Sequence, residues 1–263
     1  MSSPFSTIGF IGTGAITEAM VRGLLAEPAA TARIVVSARN AQTAARLAAD
    51  FPAVEIAADN QAIVDAADLV ILAIRPQIAE EVVRPLVFRA GQAVISLVAA
   101  VDRERVADWI GAPVNLTQAI PLPFVARRIG VTAIFPPDPL AERLFGILGT
   151  PVPCASREEY QLLAAASAMM ATYFGIMDET VRWLGAKGMP DEAARTYVTA
   201  LFADLSVSAR DTDLPSFAEL SHEYATKGGL NEQVHDDFRR HGGASAITSA
   251  LERVLARIEG KPF

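Results

Sequence analysis

The stretch Ile8-Gly9-Phe10-Ile11-Gly12-Thr13-Gly14-Ala15-Ile16-Thr17-Glu18-Ala19-Met20 decides how the rest of the chain is read. A short apolar run ends in glycines and passes directly into the helical pattern Ala19, Met20, Val21, Leu24, Leu25, which reads as strand, tight turn and helix. Such a unit is how a dinucleotide-binding βαβ fold opens. Gly12 supplies the turn, and Gly14 lets the backbone come close to a pyrophosphate at the positive helix N-terminus. Gly9, Gly12, Thr13, Gly14, Ala15 and Ile16 are therefore candidate cofactor-binding residues. The third small position of the fingerprint is Thr17 rather than Gly or Ala, which predicts slightly looser packing of helix against strand.

Outward from this turn, Arg33 to Ser37 reads as a second strand and Ala41 to Ala49 as a helix. The end of a second strand in such a unit faces the adenosine ribose, where an acidic residue would favour NAD. Here Ser37, Arg39 and Asn40 offer hydroxyl, cationic and amide groups instead, which favours the 2′-phosphate of NADPH, with NADH as the alternative. Asp68 to Ile74 is nearly continuous in apolar residues, as expected of a central parallel strand covered on both faces. It stops at Arg75-Pro76-Gln77, so Ala73, Ile74, Arg75, Pro76 and Gln77 fall at the carboxyl edge of the sheet, where ligands bind. Gln92 to Val98 repeats the pattern, with Asp102 placed to cap the next helix, and further strands are expected near Val114 to Ala119 and Gly130 to Phe135.

Beyond Pro153 no strand-like run recurs. Glu158 to Gly185 reads as a long helix whose apolar residues extend around much of its surface, which calls for burial on several sides and hence for a partner. Pro190 to Ala209, Asn231 to Arg240 and Ser245 to Ile258 read as further helices, with Pro190 just inside the start of the first. The expectation is an α/β chain: a Rossmann-type doubly wound sheet in residues 1–154, then an all-helical domain in residues 155–263.

Composition sets limits on partners and compartment. The chain has 263 residues, 51% of them hydrophobic, and a formal net charge of −7, which argues against a broad nucleic-acid-binding face. Met1-Ser2-Ser3-Pro4 lacks the pattern of a secretory leader and no later stretch is expected to cross a membrane, so a cytoplasmic protein is expected. Cys154 is the single cysteine, which excludes an intramolecular disulfide and suits a buried, inert thiol.

The order Gly9-Phe10-Ile11-Gly12-x-Gly14, Ser37-x-Arg39, Ala73-Ile74-Arg75-Pro76-Gln77 and Ile95-Ser96 resembles pyrroline-5-carboxylate reductases, which read G-F-I-G-x-G, S-N-R, A-V-K-P-Q and I-S at equivalent places. The resemblance continues through Gly185-x-x-Gly188-Met189-Pro190 to the Gly228-Gly229 turn, where the family has S-P-G-G-T-T. It implies NAD(P)H-dependent reduction of the cyclic imine 1-pyrroline-5-carboxylate to proline. It also implies a homodimer formed through the helical domains, with both subunits contributing to each active site. Carried onto this chain, Thr226, Lys227 and Asn231 become the catalytic candidates, and Gly228, Gly229, Leu230 and Asn231 the substrate-binding ones. The turn amides suit a substrate carboxylate, Lys227 adds positive charge, and Asn231 or Thr226 holds the imine nitrogen.

The departures are specific. Asn231 stands where the family places the threonine that contacts the imine nitrogen, with Leu230 before it. Ala119-Ile120-Pro121-Leu122-Pro123 replaces M-P-N-T-P, and Ala168-Met169-Met170-Ala171-Thr172 replaces G-S-G-P-A. A different imine, a 2-keto or 3-hydroxy acid, or a non-catalytic NADP-binding sensor are the alternatives. No lysine lies between Glu158 and Trp183, where β-hydroxyacid enzymes commonly carry one. His222, His235 and His241, with Glu232, Asp236 and Asp237 among them, read as a solvated helix face rather than a metal site. His222 and Tyr224 before the turn are alternatives for proton delivery or for packing, and Arg127-Arg128 for phosphate contact or for a solvated strand end. Met169, Met170 and Met177 fit a core or dimer interface.

Overall fold

The computed structural model describes residues 5–26 and 31–261, so residues 1–4, on which the reading of the N-terminus rested, lie outside the described residues. The order of elements is β1 (Phe5–Ile11), α1 (Ala15–Leu25), β2 (Thr31–Val36), α2 (Ala41–Asp50), β3 (Val54–Ile56), α3 (Asn60–Ala66), β4 (Leu69–Leu72), α4 (Pro76–Val83), β5 (Ala93–Ser96) and α5 (Arg103–Ile110). Then follow β6 (Asn115–Pro121), a 3-10 turn at Pro123–Arg127, β7 (Gly130–Phe135), α6 (Pro139–Leu148) and β8 (Gly149–Pro153). The remainder is helical: α7 (Arg157–Ser167), α8 (Met170–Ala186), α9 (Asp191–Asp211), α10 (Phe217–Tyr224), α11 (Leu230–Arg240) and α12 (Gly243–Ile258). The chain divides into two compact units, Met1–Ala164 and Ala165–Phe263.

In the first unit the strands form one sheet of eight in the order β3-β2-β1-β4-β5-β6-β7-β8. Neighbours are parallel except β6 and β7, which run antiparallel. The continuous apolar run of β4 is explained by its two covered faces. Leu69 and Ile71 join one core with Phe10, Met20, Leu24 and Phe145, while Val70 and Leu72 join the other with Ile63, Val94 and Trp109. Successive strand residues point to opposite faces, so burial on both leaves no polar position.

Several boundaries differ from expectation. The β-strand β3 has three residues and β8 carries Pro151 and Pro153; neither shows a strand signal in sequence. Prolines are tolerated in β8 because it pairs on one side only, with β7. Asp102 makes no side-chain cap to α5; its carboxylate instead pairs with Arg157. The long helix is two helices, α7 and α8, parted near Ala168, and Pro190 caps α9 from outside rather than standing inside it. None of the α8 residues is buried within the chain. By length and composition alone, an 18-residue window within the Arg157–Ala186 stretch reaches a mean hydropathy of 1.2, apolar enough to cross a bilayer, contrary to the expectation that no segment is.

Two side chains close the end of α3, where the last carbonyls have no helical partner. Gln92, buried, donates to Val64 O at 2.8 Å and Ala67 O at 3.0 Å, and its Oε1 accepts from Arg89 N at 3.1 Å. The Arg89 guanidinium donates to Val64 O, Asp65 O and Ala67 O. Gln92→Leu removes every polar atom of that buried amide, strands the Arg89 N–H and leaves Val64 O and Ala67 O to the Arg89 guanidinium alone. Urea unfolding should show a loss of about 2 kcal/mol; a loss within error of zero would mean that Arg89 alone suffices.

Candidate functional site

The strand order reverses beside β1, where β2 lies on one side and β4 on the other, and a crevice at the carboxyl ends of strands at such a point is where ligands bind in doubly wound folds. The register brings three segments of the sequence together there. Ile11 pairs with Leu72, Phe10 with Val36, and Ala73 N donates to Ile11 O at 2.8 Å. The turn of residues 12–14, the β2 end at Ser37 and the β4 end at Ala73 are thus neighbours.

Gly12 adopts φ +101°, and a Cβ there would lie 2.3 Å from Ala73 O, so only glycine fits. Gly14 is different: it caps α1 in an extended conformation and a Cβ on it would meet nothing within 4 Å. Its lack of a side chain leaves open space in front of the α1 N-terminus, where backbone N–H groups face outward. Gly9 is required for packing, since a Cβ would stand 2.5 Å from Ile63 Cγ2 of α3.

Ser37 is buried, and its hydroxyl is used inside the turn. Ser37 Oγ accepts from Gly12 N at 3.0 Å and lies 3.1 Å from Thr13 Oγ1, while Thr13 Oγ1 donates to Ser37 O at 2.6 Å. Arg39 and Asn40 are exposed in the turn that follows, and Asn40 Oδ1 caps α2 by accepting from Thr43 N at 3.4 Å. Thr17, expected to loosen the helix, ties it instead: its fully buried hydroxyl donates to Gly12 O at 2.6 Å.

An acidic residue in the first turn of α1 would oppose a diphosphate, and Glu18 is such a residue. Its carboxylate is neutralised by Arg46 at 2.6 Å and Arg22 at 3.1 Å. The hydrogen bond from Arg46, with that from Arg22, holds its pKa below the usual carboxylate range. The spacing of Glu18 and Arg22 is visible in sequence, whereas Arg46 arrives on α2 through the fold. Arg75 is exposed at the N-terminus of α4 with Pro76 in its first turn and Gln77 exposed after it.

In the helical unit, residues 225–229 join α10 to α11. Gly228 is at φ +75°, Gly229 N donates to Thr226 O at 2.7 Å, and Gly229 caps α11. Thr226, Lys227, Leu230 and Asn231 are exposed. Asn231 Nδ2 donates to Tyr224 O at 2.9 Å; since a carbonyl only accepts, this fixes the amide and turns Oδ1 outward as an acceptor. Glu232, read from the sequence only as part of a solvated helix face, accepts from Gly228 N through Oε2 at 2.6 Å. Its place three residues after the capping glycine was the available signal.

Other candidates fall outside both places. Cys154 is buried, donates weakly to Val152 O at 3.6 Å, and burial pushes its thiol pKa up, as suits an unreactive group. Among the described residues, no three His, Cys, Asp or Glu side chains converge as a metal site.

An open, mostly parallel sheet with a glycine turn at its switch point defines a dinucleotide-binding fold. Residues 7–100 match a family described as NADP oxidoreductase, coenzyme F420-dependent. The whole chain resembles pyrroline-5-carboxylate reductases in sequence and fold. That of Vibrio alginolyticus is 26% identical, with 96% of each chain covered. The structure of the Coxiella burnetii protein superposes with a TM-score of 0.84 at 23% identity, covering 98% of this chain and 100% of that one. A Plasmodium falciparum pyrroline carboxylate reductase structure with NADP bound gives 0.81 at 13% identity, with 99% of each chain covered.

The two glycines should separate by thermal melting. Gly12→Ala is forced into Ala73 and a left-handed φ, and should lose about 2 kcal/mol or more. Gly14→Val should melt close to the wild-type temperature, because its side chain enters open space. Equal destabilisation would contradict the geometry described for the turn.

Proposed function

We propose that the chain is an NADPH-dependent reductase of a cyclic C=N bond, acting on 1-pyrroline-5-carboxylate to give proline. The observation that carries this reading is the open space before the α1 N-terminus at the sheet's switch point, in a chain similar over its whole length to enzymes of that name. The residues present fit the cofactor: the Gly14 cradle admits a diphosphate, Glu18 is neutralised, and Arg39 is an exposed cation where the adenosine phosphate would lie. Bound there, NADPH supplies the hydride.

The chain's own groups then have limited tasks. The N–H groups at Gly14, Ala15 and Ile16 hold the diphosphate, and Arg39 with Asn40 recognises the ribose phosphate. Ala73 to Gln77 form the neighbouring rim. In the helical unit, Asn231 Oδ1 accepts from the protonated imine nitrogen, with the Thr226 hydroxyl as a second polar group, and so favours the form that takes a hydride at carbon. Lys227 and the amides that begin α11, with Gly228, Gly229 and Leu230 shaping the turn, hold the carboxylate. The product is the secondary amine, its nitrogen keeping the proton that the imine brought.

A homodimer through the helical unit completes the reading. Ile176 and Trp183 of α8 and Val234 of α11 line an apolar groove of about 780 Å³. Asp178, Glu179 and Arg182 interrupt α8, with an Arg182–Glu179 pair at 3.1 Å, which favours a protein surface over lipid as its cover. A cytoplasmic setting accords with that assignment.

The test follows NADPH absorbance as purified protein meets 1-pyrroline-5-carboxylate, other cyclic imines and 2-keto acids. Oxidation with the first, with proline formed, is expected; NADPH binding without turnover of any of them would overturn the proposal. Calorimetry should show Gly14→Val losing NADPH binding while folded. Arg39→Ala should weaken NADPH by about 2 kcal/mol and NADH far less; equal weakening of both would remove the phosphate role of Arg39.

A further inference from the structure

The Gly228-Gly229 turn already holds a carboxylate of its own. Glu232 Oε2 accepts from Gly228 N at 2.6 Å, and Gly229 N donates to Thr226 O at 2.7 Å. Both glycine amides are therefore committed within the chain. The donors left to a ligand are the N–H groups that begin α11, at Leu230, Asn231 and Glu232, which have no helical carbonyl to reach. An anion drawn to them arrives beside the Glu232 carboxylate, which belongs to the same helical turn. Across residues 226–232 the only charged side chains are Lys227 and Glu232, so the turn carries no net charge with which to attract an acid.

We infer that Glu232 is a specificity-determining residue, one that handicaps carboxylated imines relative to uncharged cyclic imines at this turn. The inference rests on the reading of the turn as the carboxylate holder given above. A residue that only capped α11 would affect the helix without regard to substrate charge, and this difference can be measured.

Glu232→Gln keeps the side-chain length and an oxygen to accept from Gly228 N, and removes the charge. Steady-state kinetics with NADPH are compared for 1-pyrroline-5-carboxylate and 1-pyrroline, on wild-type protein and variant, with a melting curve for each. The ratio of kcat/KM for the carboxylated over the uncharged imine should rise about five- to tenfold in the variant, through a lower KM for the acid. An unchanged ratio, or parallel changes for both substrates, overturns the inference and leaves the reductase reading intact. Failure of both proteins with both imines removes the reductase reading, and the inference falls with it. Where E232Q does not fold, E232A must move the ratio in the same direction.

Discussion

The carboxyl edge of the sheet depends on one buried hydroxyl. Ser37 Oγ accepts from Gly12 N at 3.0 Å and sits against Thr13 Oγ1, while Thr17 Oγ1 holds Gly12 O from the helix side. These contacts fasten the turn after β1 both to the end of β2 and to α1. With Gly12 pressed on Ala73 O, the same turn is fixed against β4. The backbone that faces a cofactor is thus held by contacts within the chain, while the space in front of Gly14 is left open.

Electrostatics follow the same economy of means in a chain of net charge −7. The first turn of α1 carries an acid, yet Arg22 and Arg46 neutralise it, so the positive end of the helix is not cancelled. The helical unit is arranged differently. Its glycine turn offers Lys227 and a helix start, but Glu232 occupies one of the amides. On the proposed reading, cofactor binding is built on backbone, whereas substrate selection rests on a balance between single side chains.

Much of this was legible in the sequence because the fold uses strong local signals. The glycine turn, the apolar β4 run and its halt at Arg75-Pro76-Gln77 announce a doubly wound sheet, and the structure brings them to one edge. What escaped has tertiary causes. The three residues of β3 are too few to show a period, and the prolines of β8 are acceptable only because it pairs on one side. No glycine or proline marks the break between α7 and α8 at Ala168-Met169. Ser37 read as a ligand donor because its hydrogen-bond partners, Gly12 and Thr13, meet it only after folding. Asn231, assigned from its place after the glycines, proves to have its amide nitrogen anchored on Tyr224 O, which decides which end faces outward.

The most direct measurement of the central claim, that this turn positions NADPH to reduce an imine carbon, uses NADPH deuterated at the transferable position of the nicotinamide. Mass spectrometry and NMR of the product from 1-pyrroline-5-carboxylate should find the deuteron on the ring carbon that was doubly bonded to nitrogen. Unlabelled hydrogen from solvent at that carbon, or no proline at all while NADPH binds, would contradict the account.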